Sequence, residues 1–106
     1  MTLEEAIEEK IGEQDRGSMG DVGVLETAQT DDTTYIEMSV SKGNSEYTPH
    51  FIVSATLAAI EETSGGTIRG TAHSRDKMFR WSLPPEKRGF NEETLRQHLL
   101  ANVRVD

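Results

Sequence analysis

Glu26, Glu37, Arg69, His73 and Arg80 are the residues of this 106-residue chain whose types could do chemistry together. A histidine beside a carboxylate is the minimal general acid–base pair, and a guanidinium next to it would hold an anion. A second group is the run of cations in "TAHSRDKMFRWSLPPEKR", residues 71–88, where two Lys and three Arg gather in an otherwise acidic chain. Arg75 and Lys77 would form a basic hairpin tip there, and Lys87 and Arg88 follow the prolines.

Other chemistries find little support. His50, His73 and His98 fall on separate elements without the close spacing of familiar metal motifs, and the chain has no Cys. No metal and no cofactor is therefore expected. "HSRD", residues 73–76, sets His, Ser and Asp side by side, but neighbours around a hairpin tip point apart and form no triad. Gly17, Gly20 and Gly23 follow a helical segment and precede a strand, the reverse of a phosphate-binding loop.

Two hairpins must position the five residues. "VGVLETAQ" and "TTYIEMSVS" alternate as strands around Asp31-Asp32. A two-residue turn sets Gln29 opposite Thr34, Thr27 opposite Ile36 and Leu25 opposite Met38. Leu25, Ile36, Met38 and Val40 then make a core face. Val24, Glu26, Ala28, Tyr35, Glu37 and Ser39 make the other face, with Glu26 directly opposite Glu37. Like charges so placed repel, so a cation such as Arg69 or Arg80 is expected between them.

"TIRGTAHS" and "KMFRWSL" form the second hairpin. Ile68, Gly70 and Ala72 face Leu83, Trp81 and Phe79 on an apolar side. Arg69, Thr71 and His73 face Ser82, Arg80 and Met78 on a polar, basic one. Gly70 opposite Trp81 leaves the indole room over bare backbone.

Three helices complete the pattern. Thr2 with Glu5 has capping-box spacing before the stripe Leu3, Ala6, Ile7 and Ile11, with Gly12 as the expected stop. Thr48-Pro49 opens a helix over residues 48–64 whose first half is apolar nearly all round, the mark of a buried central helix. Asn91 caps a last helix carrying Leu95, Leu99 and Val103 on one stripe. The expected fold is one α+β domain over residues 1–106, a two-layer sandwich in the order α-ββ-α-ββ-α. Its four-stranded, mainly antiparallel sheet would pack one face on the helices. Residues 1–20 read as a peripheral helix and loop.

Composition narrows the function. Of the 11 Lys and Arg, 8 follow residue 66, while 14 of the 19 Asp and Glu precede it, within a net charge of −8. Abundant acids with Arg in excess of Lys resemble the make-up of proteins from salt-loving cells, where surface carboxylates keep the chain hydrated. The N-terminal "MTLEEAIEEK" lacks the basic-then-apolar layout of a secretory leader, and no apolar run is long enough for a membrane span, so a cytoplasmic location is expected. The net charge repels phosphate backbones, and Phe79 and Trp81 point to the core instead of stacking on bases, which disfavours nucleic acid as a partner.

The expectation is a non-enzymatic protein-interaction module whose partner is a second copy of itself or another protein. Val24, Tyr35 and Met78, mixed with charges on the outer sheet face, are the candidate interface. The alternative is anion or nucleic-acid binding through the basic hairpin 69–88. A third reading is a small enzyme using the Glu26, Glu37, Arg69, His73 and Arg80 face.

Overall fold

The reciprocal cap expected at the N-terminus is present. The Thr2 backbone N–H donates to Glu5 Oε1 and the Glu5 backbone N–H donates to Thr2 Oγ1, both at 3.1 Å. They open α1 (Leu3–Gln14), which runs past Gly12. At the other end of the chain Asn91 accepts from the Thr94 backbone N–H at 2.8 Å and starts α3 (Glu92–Asn102). These elements come from a computed structural model that describes residues 2–14, 22–40, 48–74 and 76–106. Between the two helices lie β1 (Val22–Gln29), β2 (Thr33–Val40), α2 (Thr48–Glu62), β3 (Thr67–Ser74), β4 (Lys77–Leu83) and a 3₁₀ turn (Pro85–Lys87). A two-residue strand, β5 (Arg104–Val105), follows α3.

The strands form one sheet in chain order, β1-β2-β3-β4-β5, one strand more than the sequence pattern suggests. The extra strand pairs antiparallel with β4 through Phe79–Val105 and Arg80–Arg104. The sheet is mixed: β1–β2 and β3–β4 are antiparallel hairpins, while β2–β3 is parallel. The parallel pair follows from α2, which carries the chain back along the sheet before β3 begins. Gly66, at φ +89°, makes the turn into β3, where a Cβ would strike the Asp32 carbonyl, and the Thr67 backbone N–H donates to that carbonyl at 2.9 Å.

The second hairpin has the register that its alternation predicts, with Ile68, Gly70 and Ala72 opposite Leu83, Trp81 and Phe79. The first departs from it at one point. Gln29–Thr34, Thr27–Ile36 and Glu26–Glu37 pair as expected, but Met38 pairs with Val24 instead of Leu25. Leu25 is the extra residue of a β-bulge, and one extra residue reverses the facing of everything beyond it. Val24 therefore packs against the core, and Leu25 is 59% exposed. The expectation that Leu25 is a core residue and Val24 an outer-face one is corrected in both respects.

One face of the sheet carries the core. Ile36, Met38, Ile68, Ala72, Phe79, Trp81 and Leu83 meet Phe51, Ile52 and Ala59 of α2 and Leu95 and Leu99 of α3. Ile7 is fully buried with them, so α1 belongs to the common core and is not peripheral. Arg88 ties the layers together after the 3₁₀ turn. Its guanidinium donates to the carbonyls of Thr63 (2.7 Å), Gly66 (3.2 Å) and Ile60 (3.4 Å) and to Thr63 Oγ1 (2.9 Å). A cation is thus placed where the carbonyls at the end of α2 lack helical partners.

Candidate functional site

The pairing brings Glu26, Glu37, Arg69, His73 and Arg80 onto the face away from the helices, together with Tyr35 and Met78. They stand in rows that cross the strands. One row reads Ala28, Tyr35, Arg69, Ser82; the next reads Glu26, Glu37, Thr71, Arg80, Arg104; the third reads Ser39, His73, Met78. The middle row passes from two carboxylates on β1 and β2, through a hydroxyl on β3, to two guanidiniums on β4 and β5. Tyr35, Glu37, Thr71, His73 and Met78 are half-buried, and Glu26, Arg69, Arg80 and Arg104 are exposed.

Within this face the closest polar contact is His73 Nε2 to Glu37 Oε2 at 2.7 Å. The Tyr35 hydroxyl donates to Thr71 Oγ1 at 3.1 Å. Arg80 Nε lies 3.3 Å from Asp106 Oδ2. The cation expected to separate Glu26 from Glu37 is therefore neither Arg69 nor Arg80. His73, from the neighbouring parallel strand, meets Glu37 alone, and Glu26 makes no ion pair among the described residues. The His73–Glu37 pair stands on an open face with both side chains about one-third exposed. Nothing there would exclude water from a reacting group.

The cations of residues 75–88 do not form one patch. Lys77 begins β4 at the hairpin turn, whereas Lys87 and Arg88 lie beyond the opposite end of that strand. Arg88 is engaged by the end of α2, and Lys87 Nζ sits 5.2 Å from the centroid of the Phe90 ring. Arg75 lies outside the described residues. Phe79 and Trp81 are buried, so neither offers a ring to a base. Arg69, Arg80 and Arg104 instead come together at the β4 margin.

There, a cavity of about 470 Å³ opens between the outer-face side chains and the last turn of α3. Arg69, Arg80 and Arg104 line it with Ser82, Trp81, Pro84, His98 and Asn102. Asn102 Nδ2 donates to the His98 carbonyl at 2.7 Å, fixing the two α3 residues one turn apart. Trp81 Nε1 is buried with no hydrogen-bond partner among the described residues. Arg104, His98 and Asn102 are absent from the sequence-based candidates because α3 and β5 bring them to β4 from a distance. The only local signal is the alternating "VRV" after the helix. No group of three His, Asp or Glu side chains suited to a metal ion occurs among the described residues. No protein-family model, curated protein or solved structure matches the chain.

Proposed function

We propose that the chain is a protein-interaction module that self-associates through the outer face of its sheet. The observation that carries this reading is the middle row: Glu26, Glu37, Thr71, Arg80, Arg104. A two-fold axis running along β3 between two face-to-face copies sets β1 over β5 and β2 over β4. Glu26 then faces the second copy's arginine 104, and Glu37 faces its arginine 80, in each direction. An axis across the strands would set every charge of the row over its like, whereas the axis along β3 does so only for the β3 residues themselves, Arg69 and His73 outside this row, so the row favours the second orientation.

The size of the face supports the same reading. Strands about 4.8 Å apart and residues rising about 3.3 Å give a projected area of roughly 500 Å² per copy. Two copies reach only about the 1,000 Å² that a specific interface needs. The whole face must therefore be engaged, and half-buried Tyr35 and Met78 supply apolar surface among the charges. Val24 takes no part.

A charge swap tests the pairing. Arg80→Glu should abolish the dimer, because each Glu37 would then face a carboxylate. Adding Glu37→Arg in the same chain should restore it, since β2 and β4 are not neighbours within one copy. Loss with Arg80→Glu and no recovery in the double variant would contradict the proposed axis.

A further inference from the structure

We infer that the cavity at the β4 margin binds a small organic phosphate, a phosphomonoester whose oxyanion is held by Arg69, Arg80 and Arg104. The lining contains three guanidiniums and no carboxylate, in a chain with 19 Asp and Glu and a net charge of −8. Arg80 is directly opposite Arg104, and Arg69 is on the neighbouring strand β3 opposite Ser82. So many cations held side by side repel one another unless an anion lies among them. The side chains of Arg69 and Arg104 make no hydrogen bond or ion pair among the described residues, and that of Arg80 meets only the exposed Asp106 and the Met78 sulfur. The planar fork of arginine matches the oxygens of a phosphate better than a lysine would.

The rest of the cavity argues for an ester over a bare ion. About 470 Å³ lies in the range that holds a small organic molecule. Pro84 and Trp81 give it an apolar wall. His98, Asn102 and Ser82 add polar groups suited to hydroxyls. β5 pairs with β4 only as far as Arg80, so the edge of β4 next to Ser82 is left without a strand. This inference does not rest on self-association. Phosphate binding and self-association compete for Arg80 and Arg104, which the second copy's Glu37 and Glu26 neutralise in the dimer; Arg69, on the axis strand, has no facing carboxylate there, and His98 and Asn102 take no part in the pairing.

Trp81 is the only tryptophan of the chain, so its fluorescence reports on the cavity directly. Glycerol 3-phosphate, inorganic phosphate and chloride would be titrated at constant ionic strength. A saturable change with glycerol 3-phosphate, severalfold tighter than with inorganic phosphate and absent with chloride, is the expected result. Arg69→Ala should weaken that binding about tenfold or more, as loss of a hydrogen bond to a charged group does. Arg69→Lys should recover only part of it, and Lys77→Ala, equal in charge loss but outside the cavity, should bind as the parent does. Three results would overturn the inference: no saturable change, equal responses to chloride, or equal affinities for the Arg69→Ala and Lys77→Ala variants. Inorganic phosphate binding as tightly as the ester would overturn the organic part of it.

Discussion

Trp81 lies directly across the β3–β4 ladder from Gly70, and its indole occupies the space that a Cβ at residue 70 would need. Trp81 is only 5% exposed and sits in the core shared by the sheet and the helices. Gly70→Ala should therefore destabilise the fold by about 1–3 kcal/mol, because the ring must shift in a packed interior. Trp81→Ala should cost about 3–5 kcal/mol through the cavity it leaves. In the double variant the methyl group enters vacated space, so the two costs should fall short of their sum. Urea denaturation of the single and double variants measures this, and additive costs would show that the two residues do not compete for space.

Arg88 should behave as a structural residue despite its place among the cations of residues 71–88. Its bonds to Thr63, Gly66 and Ile60 join the segment after β4 to the end of α2. Arg88→Ala should cost about 1.5–3 kcal/mol, the scale of hydrogen bonds to a charged group. Arg88→Lys should recover only part of this, since an ammonium cannot span several carbonyls as the fork does. Thermal denaturation ranks the three proteins. Equal stability of the alanine variant and the parent would refute the role.

The cap of α1 has a pH signature. The backbone N–H of Thr2, and then its side chain, hold the Glu5 carboxyl below its ordinary value of 4.5. A carboxylate with a depressed folded-state pKa contributes stability that is fully present above the unfolded value and is lost as pH falls through the folded one. Glu5→Gln keeps the hydrogen-bond geometry and removes the titration. The stability advantage of the parent over this variant should shrink as pH drops below 4.5, measured by denaturation across that range. A difference that is flat with pH would contradict it.

What the sequence disclosed was local. The caps at Thr2 and Asn91, and the register of the second hairpin, rest on residues a few positions apart, and alternation alone placed Trp81 inward and Arg80 outward. The bulge at Leu25 escaped because both registers bury an apolar residue there, and only the packing of β1 on the core chooses Val24. The fifth strand escaped because two residues carry no periodicity; β4 holds them in place. For the same reason the site was half legible. Glu26, Glu37, Arg69, His73 and Arg80 share a face as expected, but the Glu37–His73 contact depends on the parallel return of β3. Arg104, His98 and Asn102 reach the β4 margin only through α3, and the task of Arg88 depends on where α2 ends.

Pairing of the outer face with a second copy is read from the solution mass over a dilution series. Twice the 11.8 kDa of one chain is expected at high concentration, giving way to the single mass on dilution. Glu26→Lys should move this transition to higher concentration, because the new cation would face arginine 104 of the second copy. A mass of 11.8 kDa at every concentration, or a dimer indifferent to charge reversal at Glu26 and Arg80, would contradict it.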